Sequence, residues 1–486
     1  MGMKAYPCDV LIVGGGLAGL QAAVTIQEKA PASKVVIADL GGGASSEIMG
    51  FCAPLAPGDS PERFAEDILR VGGGENDPAL VKRLTEDAVA TVRRLETLGI
   101  EFDKNDRQEY DLLKPLGSSC PRVVHHKTVT GKAIIERYRA ILARNNHIAF
   151  HKSRIVKLFK HKGRIAGALG FERGAPVGYS TSNVILASGG GAGLFGFSSW
   201  TKMLNGSGYA LAHDAGAELV GMNRIQFEPC VSVYPEKLYG FPIITTLLHE
   251  GVRLVDGNGD PVVNEPLPKR ELALRIASVV SEGKDCGHGG VWFDFSGVEE
   301  EAFKTRYPEY YSKLRPYADR MADLRIEVKP AAHTTLGGVA INAHAETSVP
   351  GLFAAGEVTG GVHGADRIGG NAGLEVLVFG RAAGESSAAY DAPAVDIAGP
   401  AEDFLSAIPC GRSEREFLSS IGEILNDFCG VISSRKDLLA GLSRLNQLHT
   451  EFVNDPPVRK EDHVVCCHAF TTAAVFLESR LDSADT

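Results

Sequence analysis

The sequence predicts an α/β protein built on a parallel sheet whose strands come from both ends of the chain. Three observations carry this. An apolar run at 10–13 ends in Gly14-Gly15-Gly16-Leu17-Ala18-Gly19 and leads into a helical pattern of small and apolar residues at 20–30. A second apolar run at 34–38 ends in Asp39. Far downstream, strand-like runs at 184–187 and 351–355 pass directly into Ser188-Gly189-Gly190-Gly191 and Gly356-Glu357.

Strand, GxGxxG and helix stand in the order that a Rossmann-type dinucleotide site needs. Gly14 permits the tight turn, Gly16 lets the backbone approach a pyrophosphate, and Gly19 lets the helix pack on the strand. The N–H groups that open the helix favour phosphate. Asp39 lies about 20 residues on, where a carboxylate accepts from ribose hydroxyls; alone it would read as a solvated strand-end acid. The late strand at 351–355 implies that the dinucleotide fold is interrupted by an insert at 223–345. The chain therefore divides into 1–222 and 346–395 for the nucleotide domain, 223–345 for the insert, and a tail at 396–486. Helical periodicity marks 414–428 and 438–453 in that tail.

Bulk properties exclude several classes. A chain of 486 residues exceeds one compact core. A net charge of −10 argues against nonspecific binding to nucleic acid or anionic lipid. No apolar run reaches the roughly 18–20 residues of a membrane span, and residues 1–13 read as a first strand, with no secretory leader visible. The nine cysteines include no CxxC, which argues against an iron–sulfur or structural zinc site. No metal site is expected, and the setting expected is cytoplasmic with reduced thiols. Glycines cluster at 14–16, 41–43, 72–74, 189–191, 337–338, 360–361 and 369–370. Each cluster alone reads as a tight turn, but together they suit a backbone that approaches one large ligand.

The segment 356–371, Gly-Glu-Val-Thr-Gly-Gly-Val-His-Gly-Ala-Asp-Arg-Ile-Gly-Gly-Asn, resembles the C-terminal FAD motif of fumarate reductase and succinate dehydrogenase flavoproteins. Phe379-Gly380-Arg381-Ala382-Ala383-Gly384, Ala332-His333-Thr334-Thr335-Leu336-Gly337-Gly338, Asn76-Asp77-Pro78 and Gly206-Ser207-Gly208 extend the likeness over almost the whole chain. L-aspartate oxidase and the adenylylsulfate reductase flavoprotein share that superfamily. The resemblance implies FAD, an α+β capping domain inserted into the Rossmann-type domain, a helical C-terminal domain, and an active site between cap and FAD. It implies that Gly14, Gly16, Gly19, Asp39, Ser45, Gly189, Gly190, Glu357 and Asn371 serve the cofactor.

Reducing a carbon–carbon double bond with a flavin needs a held substrate, stabilised charge beside its carboxylate, and a proton donor. The family uses an arginine as that donor, and two fit here. Arg275 follows Glu-Leu-Ala, whereas Arg270 keeps an acid after it. Glu250 matches the carboxylate that would reload it. His333 and Arg367 match the pair that holds a substrate carboxylate, for which the guanidinium fork is suited. His363 is expected to shape the flavin pocket. Without the family motifs, each arginine would read as a solvated helix face and His333 as structural.

The chain departs from the pattern at the far end of the substrate. Gln226-Phe227-Glu228-Pro229 stands where the family has Gln-Phe-His-Pro, and His249 replaces a threonine before Glu250. The run after Arg253 is also short. A carboxylate facing a carboxylate is repulsive. Glu228 and His249 therefore predict a substrate with one carboxylate and a polar or cationic far end, and not fumarate itself. The alternative is that Glu228 points away and pairs with a nearby base. Residues 41–47 hold no histidine, so FAD is expected to be noncovalent. Three rival readings remain: an L-aspartate-oxidase-like amino acid oxidase, a flavoprotein subunit with an iron–sulfur partner, and a noncatalytic FAD scaffold. A nicotinamide-only dehydrogenase lacks a second GxGxxG.

Overall fold

A computed structural model describes residues 3–265, 267–413 and 416–484. Its centre is a five-stranded parallel sheet in the order Leu352–Ala354, Val184–Leu186, Val10–Val13, Val35–Ala38 and Ile148–His151. Most of these strands are continuous apolar runs, as expected when helices cover both faces. The sheet joins residues more than 300 apart in sequence, because Leu352 pairs with Val184 and Val184 with Leu11.

Helices Leu17–Lys29 and Asn371–Ala389 pack closely on each other beside this sheet. The reason is a stripe of glycine. A Cβ on Gly380 would stand 2.7 Å from the Ala18 carbonyl oxygen, and one on Gly384 would stand 2.7 Å from that of Ala22. The Phe379–Gly384 motif is thus a helix-packing surface. Asn76 and Asp77 are likewise structural: Asn76 Nδ2 donates to the Val362 carbonyl at 2.9 Å, and Asp77 caps helix Pro78–Thr97.

The insert forms an antiparallel sheet in the order Ile225–Tyr234, Arg325–Thr335, Val291–Asp294 and Arg253–Val255, with helix Lys269–Ser281 against it. It has its own core around Leu254, Leu272, Ile276, Phe293 and Ile326. At its base Gly338–Ala340 pairs with Leu219–Val220 and Thr359–Gly360.

The tail contains helices Ala398–Ala407, Phe417–Phe428, Arg435–Asn454 and Lys460–Ser483. Residues 414 and 415, at the start of the first periodic stretch, lie outside the described residues. Helix Lys460–Ser483 is long and apolar enough to cross a membrane by length and composition, which corrects the expectation that no stretch reaches that mark. Here Val464, Ala469, Ala473, Phe476 and Leu477 are buried against the neighbouring helices.

Candidate active site

The first glycine turn fits a dinucleotide. Gly14 has φ +111°, and a Cβ there would lie 2.2 Å from the Ala187 carbonyl oxygen. A Cβ on Gly19 would lie 2.0 Å from that of Gly14. Gly16 caps the helix, whose first turn carries no acid, and Ser45 Oγ accepts from Leu17 N at 3.0 Å. Asp39 accepts from Gly15 N and Gly41 N and pairs with Arg139 at 2.9 Å. It is therefore held at the strand end beside the glycines.

The second half of the cradle meets it from the far end of the chain. Gly189 has φ +75°, and a Cβ on Gly190 would fall 2.1 Å from Glu357 Oε1. Glu357 also accepts from Thr334 Oγ1 at 2.7 Å and from Thr335 N at 3.2 Å. Burial pushes its carboxyl above the ordinary range despite these donors. Asn371 is fully buried at the start of its helix. Among the described residues neither of its amide atoms has a partner, nor does Ser188 Oγ. Buried polar groups are rarely left unpaired, so these atoms fit a bound polar cofactor. FAD, once bound, supplies hydride transfer.

His333 owes its position to a bulge. Gln226 pairs with Thr334 and Phe227 with Ala332, so His333 is the extra residue on its strand. Bulges re-aim side chains in this way. Ser199 Oγ lies 2.8 Å from His333 Nδ1, and the Trp200 ring stacks on the imidazole at 5.4 Å. Burial, then the positive charges of Lys269 and Arg367, push the imidazole well below its ordinary range. His333 is therefore neutral at physiological pH. Arg367 Nη2 donates to Gln226 Oε1 at 3.1 Å, while Gln226 Nε2 donates to Asp366 at 2.5 Å. Arg367 Nε is buried without a partner among the described residues, which leaves a donor for an incoming carboxylate. His363 bonds Glu375 at 2.9 Å, beneath the loop.

Glu228 pairs with Lys269, whose Nζ lies 2.5 Å from Glu228 Oε2. This is the alternative in which the acid has a base of its own. The other candidates are not gathered here. Glu250 is held by Arg306 at 2.5 and 2.6 Å and by Tyr307 at 3.3 Å. His249 and Arg270 are exposed. Arg275 Nε donates to the Val262 carbonyl at 3.0 Å, and the helical twist carries it away from the side of Lys269. Sequence reasoning missed Ser199, Trp200, Asp366 and Lys269. Lys269 had a readable signal, since Lys269, Leu272, Ala273 and Ile276 share one helix face. Ser199 and Trp200 had none.

A buried brace stands behind the Arg367 loop. Arg122 is fully buried and forks onto Asp59 at 2.7 and 2.8 Å, with a third bond to Asp67 at 2.5 Å. Cys52, on the adjoining strand, donates to the Gly369 carbonyl.

This arrangement defines a flavin-dependent oxidoreductase, and comparison with known proteins agrees. The profile described as FAD binding domain matches residues 9–372. One of the subunits of the fumarate reductase (CoM/CoB) of Methanothermobacter marburgensis is 36% identical over 408 residues, covering 80% of this chain and 74% of that protein. The L-aspartate oxidase of a Synechocystis species is 32% identical over 389 residues, covering 78% and 70%. The Sdh1 complex of Mycobacterium smegmatis in its apo form superposes with a TM-score of 0.88 at 28% identity, covering 99% of this chain and 87% of that one. The chain belongs to the FAD-dependent oxidoreductase family that includes fumarate reductase and L-aspartate oxidase.

Proposed function

We propose that the protein reduces, or in reverse forms, a carbon–carbon double bond beside the carboxylate of a small organic acid other than fumarate. The observation that carries this is the pairing of neutral His333 with Arg367, whose Nε is free of any partner among the described residues. Together they offer a carboxylate one cation and one neutral ring. Glu228 balances Lys269, and Asp366 beside Arg367 offsets its charge, so these four groups together carry no net charge. A dianion would gain little at the second end, whereas a neutral polar group would meet a ready donor–acceptor pair.

The test compares fumaramate with fumarate, which differ only in one amide for one carboxylate. With reduced viologen as electron donor, fumaramate should be reduced faster at limiting concentration. Fast fumarate turnover would sink the proposal. A second reading, amine oxidation, draws on the relatives named L-aspartate oxidase. Hydrogen peroxide formed from L-aspartate would favour it. The Methanothermobacter relative is named as one component of a multi-chain reductase. That supports an electron-transferring partner protein, which we take to carry iron–sulfur clusters and to co-purify with this chain. We assign a cytoplasmic setting, in keeping with nine free cysteines.

A further inference from the structure

We propose that the Ser199 hydroxyl sets the tautomer of His333, so that Nε2 carries the ring proton and donates a hydrogen bond to the substrate carboxylate beside Arg367; the proposal rests on the reading of His333 and Arg367 as a carboxylate clamp. A neutral imidazole has one nitrogen that donates and one that accepts. Only the donor serves an ionised carboxylate, which can do nothing but accept. A ring with its bare nitrogen toward the substrate would set lone pair against lone pair. The choice between the two forms is made by the partner of the other nitrogen.

That partner is Ser199. Residues 198–200 belong to the FAD-binding half and lie against the cap strand, where Ser198 and Ala332 form a parallel bridge. Ser199 N donates to the Ala332 carbonyl at 3.0 Å, and Ser198 Oγ donates to it at 3.1 Å. A carbonyl oxygen has two lone pairs, so these donors fill it. Ser198 Oγ in turn accepts from Trp200 N at 3.1 Å. Ser199 Oγ lies 3.4 Å from that filled carbonyl oxygen but only 2.8 Å from His333 Nδ1. Its proton therefore goes to the nearer, unfilled acceptor. Nδ1 is then the bare nitrogen and Nε2 the protonated one.

Trp200 fixes the plane of the ring by stacking on it at 5.4 Å and 25°. Nε2 stands at the tip of the imidazole, and no hydrogen bond among the described residues reaches it. Arg367 is near enough for its charge to act on the ring, and its own Nε is unpartnered. The clamp thus offers one charged donor and one neutral donor to the two carboxylate oxygens. Ser199 is a positioning residue in this account, because it acts on the substrate only through His333.

The test uses FAD-loaded wild type, S199A and S199T, with histidine labelled by 15N in the ring. The His333 signals are those lost in H333Q. In wild type Nδ1 should show the shift of a bare nitrogen and Nε2 that of a protonated one. In S199A the two shifts should move toward each other, as the ring samples both forms. Binding is read from the shift of the oxidised flavin spectrum by fumaramate and by fumaramide, which carries an amide in place of the clamped carboxylate. An amide can accept from one tautomer or donate to the other, so it is indifferent to the choice. S199A should bind fumaramate at least ~5-fold more weakly and fumaramide within about twofold of wild type. S199T keeps the hydroxyl and should bind fumaramate within about threefold of wild type. Any other pattern of ring shifts in wild type would overturn the proposal. So would equal losses for the two ligands in S199A, which mark a merely structural role, or S199T no better than S199A. Wild type whose flavin spectrum fumaramate does not shift would instead overturn the reading of the clamp, and this role of Ser199 with it.

Discussion

At the scale of single residues, the site depends on how two groups share the substrate carboxylate. Arg367 offers a fork and His333 a neutral ring. Arg367→Lys keeps the charge and loses the fork, so carboxylate affinity should fall by roughly 10- to 100-fold in flavin-perturbation titrations, in line with a charge-assisted bond of about 1.5–3 kcal/mol. An unchanged Kd would remove Arg367 from the clamp. Burial and two cations hold His333 neutral. Carboxylate affinity should therefore be flat from about pH 5.5 to 7.5, where an ordinary histidine would titrate. A step in that window would contradict this. The residues legible in the sequence were those inside long motifs, such as His333, Arg367 and Glu357. Lys269 escaped because its role depends on the pairing of a helix start with a strand 41 positions away. Arg275 fitted the motif, but its direction is set by helical twist, which a motif does not record.

At the scale of elements, packing explains motifs that look like ligand sites. Gly384 touches the Ala22 backbone across two helices. Gly384→Val should separate those helices, destabilise the fold by about 1–3 kcal/mol through overpacking, and weaken FAD retention. Thermal unfolding and flavin content would check both effects. Burial pushes the Asp67 carboxyl up, but Arg122 and Ser119 outweigh it and hold the group well below the usual carboxylate range. A lowered carboxyl stabilises the fold above its unfolded value, and that contribution fades as pH falls through the folded one. Stability should therefore drop below about pH 4 in wild type and less steeply in Asp67→Asn. Equal slopes in urea titrations would contradict this. The strands and the glycine turn were readable from periodicity. The bulge at His333 was not, because it arises from the register between two distant strands.

At the scale of the whole molecule, one cofactor site is built from both ends of the chain. The glycine turn at 14–19 needs Ala187 beside it, and Gly190 needs Glu357. This long-range closure was legible, because each half ends a strand in glycine. How the cap joins at its base was less so, since Gly338–Ala340 does this through short pairings. The loop at 41–47 contains no histidine, so acid precipitation should release all the flavin into solution. Flavin left in the pellet would contradict a noncovalent site. The central claim is that this flavoprotein reduces an unsaturated acid bearing one carboxylate. The most direct measurement is single-turnover reoxidation of the reduced protein by fumaramate and by fumarate, followed at the flavin absorbance. Fumaramate should reoxidise the flavin at least ~10-fold faster, a difference of about 1.4 kcal/mol. Faster reoxidation by fumarate, or none by either acid, would contradict the claim.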